Sequence, residues 1–469
     1  SPCKLRWAAR KAVLQNRKSQ PAGMLKALLT KQPVRSFLAK RMRGEVAKKA
    51  REDHYPAPYR LIDLFEKHGG NLDAMKAAET KAFAPLMVSD TSRNLRRVFR
   101  LTELLKAQAP KGLGWKPQRV HVIGAGTMGA DIAGVCVASG MEVTLQDISA
   151  EQLEKGMSAQ GKLFGRKFKT KALKNAAKAR FIADPDGKGI ARADVIIEAI
   201  VERLDVKQKL FADLETKIKP GAIMATNTSS LKLEDIAAPL KDPGRLIGLH
   251  FFSPVPMMPL VEVVQGKSTR EDEVKKGAAF VTAIDKFPLI TKDVPGFLVN
   301  KVLTPYMFRA FERLENGEDK EKIDEAVRAF GMPMGPIELA DSVGLDVCAH
   351  VAKILGGGGT EGSRLERLVA SGRLGKKTGE GFYVWKDGKP VRSNKEFSKS
   401  DLEKLGREIV EPIITEAQKA LDEGVVANAD LVDAGMIFGT GFAPFRGGPL
   451  HYKASLTKAA ALVKRAAAE

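Results

Sequence analysis

One stretch constrains this chain more than any other. Gly124-Ala125-Gly126-Thr127-Met128-Gly129 follows a short β-branched run, Arg119–Ile123, and opens a helical pattern, Met128–Ala138. Glycines at that spacing permit a tight turn, a close approach of backbone to a pyrophosphate, and close helix–strand packing. The free N–H groups and positive dipole end of the helix then face the phosphates. Further runs follow at Glu142–Gln146, Asp194–Ala199, Ala222–Thr226, Leu246–Phe251 and Leu260–Val264, with helical patterns such as Leu204–Ile218 between them. Strands alternating with helices predict a parallel sheet covered on both faces.

The rest of the chain reads as helical. Residues 55–108 carry helical patterns broken near Tyr55-Pro56-Ala57-Pro58 and His68-Gly69-Gly70, and 109–117 have the composition of a linker. After Asp293-Val294-Pro295-Gly296 the strand signals nearly stop, and Gly356–Gly359 reads as a flexible break. A repeat is visible. Leu314, Glu315 and Gly317 follow Pro305 as Leu421, Asp422 and Gly424 follow Pro412, and Met334-Gly335-Pro336 has a counterpart in Gly447-Gly448-Pro449. The expected fold class is an α/β Rossmann-type NAD-binding domain, then two repeated all-α helical domains, with a helical N-terminal extension. The expected boundaries are 1–112, 113–294, 295–390 and 391–469.

Charge narrows the partners. The net charge is +21, and residues 1–51 hold fifteen Lys and Arg against one acid, Glu45. That front could cover a neighbour as a solvated helical face, or dock a membrane or another anion. It lacks the aromatic interleaving of a nucleic-acid arm, so no nucleic acid is expected. The remainder reads as modestly charged. Cys3, Cys136 and Cys348 lie far apart, which suits a reducing compartment and no disulfide scaffold. The six histidines show no metal-ligand spacing, so no metal is expected. No apolar run approaches the length of a membrane span.

Individual residues suggest chemistry. Gly124, Gly126, Thr127, Met128 and Gly129 form the phosphate loop. Asp147 ends the second run and is placed for an adenosine ribose, where its charge would repel a 2′-phosphate and favour NAD. His250 ends a strand whose carboxyl end faces the ligand crevice, and its pKa class suits a base for a hydroxyl proton. Glu262, inside an apolar run, is costly unless paired, and an imidazole is a natural partner. Ser229, in Thr226-Asn227-Thr228-Ser229-Ser230, could bind a substrate oxygen or cap a helix. Asn300 follows Pro295-Gly296-Phe297 near a helix start, where an amide can cap the helix or sit in the core. Glu198 and Glu202 could serve the cofactor side or start a helix.

Together these residues resemble the 3-hydroxyacyl-CoA dehydrogenase family. The matching pieces are Gly124–Gly129, Glu198–Glu202, Asn227–Leu231, Gly248–Pro254, Pro295–Asn300, Gly331–Pro336 and Gly375–Tyr383, in order over 118–386. The resemblance implies oxidation of (S)-3-hydroxyacyl-CoA to 3-oxoacyl-CoA with NAD+ in fatty-acid β-oxidation, with His250 as base and Glu262 as its partner. It implies Ser229 and Asn300 around the substrate oxygen and cofactor, and Glu202 and Lys207 near the nicotinamide half. Ser253 stands where many members have Asn. Residues 54–108 and the second helical copy resemble the long multifunctional β-oxidation subunit, in which a hydratase precedes the dehydrogenase. Residues 1–50 resemble the tail of that hydratase, so the chain reads as the dehydrogenase portion and is not expected to hydrate enoyl-CoA by itself. The resemblance also implies an acyl-CoA substrate, a homodimer, a thiolase as a candidate partner, and a bacterial-type cytoplasmic location ahead of the mitochondrial matrix. The competing class is a non-catalytic dinucleotide-binding remnant whose basic front docks a membrane or a partner.

Overall fold

The computed structural model describes residues 31–354, 362–393 and 395–466, together with Trp7, Arg10, Lys11, Leu14 and Gln15. About half of the basic front, Cys3 and the Gly356–Gly359 run lie outside the described residues. The chain divides into two units, Ser1–Arg93 and Asn94–Glu469.

The first unit contains helices Val34–Ala47, Pro56–His68 and Leu72–Val88. The expected break at Tyr55–Pro58 is instead a helix start. Pro56 occupies the first helical position, where its missing N–H costs nothing. Arg43 ties two of these helices together through Asp63 at 2.6 Å and Glu66 at 2.7 Å.

The second unit is built on an eight-stranded sheet: β1 (Arg119–Ile123), β2 (Glu142–Gln146), β3 (Phe181–Ala183), β4 (Val195–Glu198), β5 (Ile223–Thr226), β6 (Leu246–Phe251), β7 (Leu260–Gln265) and β8 (Phe287–Lys292). Their order is β3-β2-β1-β4-β5-β6-β7-β8. Strands β4 and β5 are buried along their whole length, because helices cover both faces of the sheet. The expected all-parallel sheet is corrected at one place. Strands β6 and β7 pair antiparallel, with His250 opposite Glu262. The short connection between them cannot make the crossover of a dozen or more residues that a parallel pair needs. Two strands of this sheet escaped the sequence reading. Strand β3 spans three residues. Strand β8 carries Pro288, which is tolerated because β8 lies at the sheet edge.

Beyond β8 the chain is mainly helical, and the repeat takes a concrete form. Asp324, in helix Lys320–Phe330, accepts from the N–H groups of Ile337 at 2.9 Å and Glu338 at 3.1 Å. Asp433, in helix Ala429–Thr440, accepts from those of Leu450 at 2.8 Å and His451 at 3.2 Å. Each carboxylate caps a helix that starts at a proline, Pro336 or Pro449. The glycine before each proline is required by close approach. A Cβ on Gly335 would lie 2.1 Å from Asp324 Oδ1, and one on Gly448 would lie 2.3 Å from Asp433 Cγ. Burial pushes both carboxyls up to about 6, against their hydrogen bonds. The third partner differs between the copies: the Tyr383 hydroxyl donates to Asp324 at 2.8 Å, and Arg97 donates to Asp433 at 2.7 Å. Leu101 and Leu105, N-terminal to the sheet, are buried in the same helical core.

Candidate active site

The antiparallel pairing of β6 and β7 places His250 and Glu262 side by side. His250 Nδ1 lies 2.7 Å from Glu262 Oε2, and both side chains are buried. The other oxygen, Oε1, accepts from the backbone N–H groups of Leu298 at 3.0 Å and Val299 at 2.9 Å. Those donors stand at the start of helix Val299–Glu315, whose dipole favours negative charge there. Glu262 is therefore an acceptor on both oxygens. An ionised acceptor at that position makes Nδ1 the protonated nitrogen and leaves Nε2 as an acceptor. The rings of Phe252 and Phe297 stand 4.6 Å and 5.3 Å from the imidazole and wall it in.

A second polar cluster sits beside the ends of β4 and β5. Lys207, buried in helix Leu204–Lys217, lies 2.6 Å from Glu198 Oε1 and 3.2 Å from Glu202 Oε2. Glu198 also accepts from Thr226 Oγ1 at 2.6 Å and from Ile200 N at 2.8 Å. Glu202 Oε1 gathers the next loop, accepting from Thr228 Oγ1 at 2.6 Å, Ser229 N at 2.9 Å and Ser230 Oγ at 3.0 Å. Burial pushes the Glu202 carboxyl up, but the Lys207 charge and these donors outweigh it and hold it below the usual range. Glu202 and Lys207 thus shape the loop that carries Ser229. Among the described residues Ser229 Oγ has only a long contact, 3.5 Å to Glu202. The carboxamide of Asn300 has no hydrogen-bond partner among the described residues. No hydrogen bond joins Ser229 or Asn300 to His250 there.

The glycine loop fits a dinucleotide. Gly126 is the N-cap of helix Thr127–Ala138 and offers no side-chain cap, while Gly126 and Thr127 are exposed. The first N–H groups of that helix, including those of Thr127 and Met128, have no intrahelical acceptor and face outward. A Cβ on Gly129 would lie 1.9 Å from Gly124 O, whereas one on Gly126 would meet open space. Asp147 follows β2, and its carboxylate accepts from Ala125 N at 2.7 Å and Ser149 N at 2.9 Å, bracing the loop while keeping lone pairs for a ribose.

Three features escaped the sequence reading. Asn227 Oδ1 accepts from Phe251 N at 2.9 Å and so braces the strand end beside His250. Its place in the Thr226–Ser230 run was the available signal. Ile148, next to Asp147, is fully exposed and offers an apolar face at the rim of the dinucleotide site. The charge of the sheet domain is also uneven. Nine Lys and Arg and no acid fall within 155–183, and none of the nine joins an ion pair among the described residues. A simple running count would have found this edge, which lies within a remainder of modest net charge.

Comparison with known proteins agrees with this geometry. Residues 119–294 match the sequence pattern of the 3-hydroxyacyl-CoA dehydrogenase NAD binding domain, and 296–385 match that of the C-terminal domain. The solved 3-hydroxybutyryl-CoA dehydrogenase of Escherichia coli is 31% identical, with a TM-score of 0.63 over 73% of this chain and 92% of its own. The chain belongs to the 3-hydroxyacyl-CoA dehydrogenase family. Another solved relative, the (S)-3-hydroxybutyryl-CoA dehydrogenase of Ralstonia eutropha, is 34% identical over 58% of this chain and all of its own, with a TM-score of 0.53. The fatty acid oxidation complex subunit alpha of Vibrio cholerae is 36% identical over 439 residues, 88% of this chain. This member of the family spans 61% of that relative's length.

Proposed function

We propose that the chain oxidises an (S)-3-hydroxyacyl-CoA to the 3-oxoacyl-CoA with NAD+, as a step of fatty-acid β-oxidation. The observation that carries this reading is the buried His250–Glu262 pair, anchored on a helix start and set at the carboxyl end of a strand in the sheet that bears the glycine loop. His250 Nε2 takes the proton of the substrate hydroxyl. Glu262 holds the ring in the required tautomer and stabilises the imidazolium that forms. Ser229 and Asn300, each with polar capacity to spare, hold the substrate oxygen. Gly124, Gly126, Thr127, Met128 and Gly129 bind the pyrophosphate and Asp147 the adenosine ribose, while Glu202 and Lys207 fix the loop on the nicotinamide side. NAD+, when bound, supplies the hydride acceptor.

The polypeptide organisation proposed with this reading is a basic extension over 1–112, a dinucleotide domain over 113–294, and helical domains over 295–390 and 391–469. A homodimer that can pair with a thiolase is proposed with it; the name of the relatives, alpha subunits of a fatty acid oxidation complex, supports assembly with other subunits. The basic residues 1–51 are proposed to supply any contact with an anionic membrane surface. The bacterial relatives support a cytoplasmic location. Among the described residues no helix is long and apolar enough to cross a membrane.

Replacement of the base tests the proposal. General base catalysis contributes about 10²–10⁴-fold, so His250→Gln is expected to lower turnover of acetoacetyl-CoA and NADH by that factor. The NADH affinity, read by fluorescence titration, should hardly change. Turnover near the wild-type value would sink the assignment.

A further inference from the structure

One buried cation takes no part in the His250 pair, the glycine loop or the Lys207 cluster. Lys286 directly precedes β8 and is only 7% exposed. Its Nζ donates to the carbonyl oxygens of Val255 at 2.7 Å and Met258 at 2.6 Å. Both carbonyls belong to the connection from β6 to β7, the segment between His250 and Glu262. The connection starts at Phe252, whose ring touches the His250 imidazole, and it carries Met257, 75% exposed. Inside it, the N–H groups of Met257 and Met258 both donate to Pro254 O, at 2.9 Å and 3.1 Å. The ammonium therefore grips a tight turn at both ends.

This arrangement is a poor one for stability alone. Among the described residues no carboxylate forms an ion pair with Lys286. The charged or titratable groups facing it are Cys136, Asp285 and Lys167. A buried ammonium without a carboxylate costs several kcal/mol of desolvation, and an apolar side chain of similar volume would fill the space without that cost. Charge-assisted hydrogen bonds, about twice as strong as neutral ones, serve better where a loop must keep one shape.

We propose that Lys286 is a positioning residue for the acyl-CoA substrate, anchoring the 254–258 turn so that Phe252 and Met257 form one wall of the acyl-thioester site beside His250. The inference rests on the dehydrogenase reading above. It also has a pH signature. Burial pushes the Lys286 ammonium down to about 8; the nearby Asp285 favours its charge, and Lys167 opposes it. Cys136 is itself pushed up to about 12 by burial and stays a thiol across the range of interest. Above pH 8 the grip on the two carbonyls weakens.

The test uses the full chain with (S)-3-hydroxybutyryl-CoA and NAD+, comparing wild type, Lys286→Met and Lys286→Arg. Loss of two charge-assisted bonds is expected to raise the KM for the acyl-CoA about tenfold in Lys286→Met, with kcat down by no more than about threefold and the KM for NAD+ within about twofold. Lys286→Arg should recover most of the lost affinity. In the wild type, the acyl-CoA KM should rise between pH 7 and 9.5 while the KM for NAD+ stays level. An unmoved acyl-CoA KM in folded Lys286→Met overturns the inference, as does a parallel loss of both affinities and kcat. If Lys286→Met does not fold, the wild-type profile decides, and an acyl-CoA KM that is flat with pH overturns it. A wild type that cannot turn over the probe overturns the dehydrogenase reading and this inference together. An active wild type with an unmoved KM overturns only the inference.

Discussion

Glu262→Gln isolates what the carboxylate does for His250, because the replacement keeps the shape and removes the charge. The amide has one acceptor oxygen and one NH2 group, and it faces two different demands. Two backbone N–H groups, of Leu298 and Val299, point at Oε1, and the imidazole points at Oε2. If the amide NH2 faced the backbone, two buried donors would lose their acceptor at about 1–3 kcal/mol each. The amide oxygen therefore stays with Leu298 and Val299, and the NH2 turns to the imidazole. His250 Nδ1 must then accept, which forces the proton onto Nε2, the nitrogen that has to receive the substrate proton. The imidazolium formed in the reaction would also lose its counter-charge. The expected loss is that of the whole general-base contribution, about 10²–10⁴ in turnover, or roughly 3–5 kcal/mol of transition-state stabilisation. The assay is acetoacetyl-CoA-dependent oxidation of NADH at pH 7, with NADH affinity followed by fluorescence and folding by thermal melt. NADH affinity and melting temperature should stay close to wild type. A folded variant that keeps turnover within threefold of wild type would refute the tautomer argument.

The glycine loop and the capping aspartates yield two further expectations. Gly126→Ala meets open space, so it should leave the melting temperature unchanged and weaken NADH binding by obstructing the phosphates, whereas Gly129→Ala drives a Cβ into Gly124 O and should lower both; equal behaviour of the two in a melt and titration series would contradict the geometry. Asp324, with an ordinary carboxyl near 3.8 when unfolded and about 6 when folded, contributes stability that is present below pH 3.8 and lost as pH rises through 6, worth about 3 kcal/mol from two pKa units. Wild-type stability should therefore fall relative to Asp324→Asn between pH 4 and 6.5 in denaturant titrations, and parallel pH profiles would count against a raised carboxyl.

Much of the site could be read from residue order, and the limits have physical causes. The glycine loop was legible because strand, turn and helix follow one another within twenty residues, so local pattern suffices. The proximity of His250 and Glu262 was legible for another reason: a carboxylate in an apolar run demands a partner. The antiparallel pairing that joins them was not foreseen, since alternating runs and helices look alike whichever way one strand points. Strand β8 was hidden by Pro288, a strand breaker everywhere but at an edge or strand start. Lys286 and Lys207 were opaque as structural parts because a lysine's usual place is solvent. Their burial is decided by carbonyls and carboxylates distant in sequence. The matched glycines at 335 and 448 could be spotted as a repeat, but not the aspartates they make room for.

The hairpin of β6 and β7 separates two events in the making of this site. The base and its carboxylate meet within thirteen residues of chain, so their contact closes a small loop and can form as soon as the hairpin does. The donors of Leu298 and Val299 come from the start of the helical half and arrive only when that half has docked. Until then Glu262 holds an imidazole with one oxygen and has nothing for the other. Docking of the helical half thus settles the electrostatics of the base, and a chain with unfolded helices would keep the pair while losing its tuning.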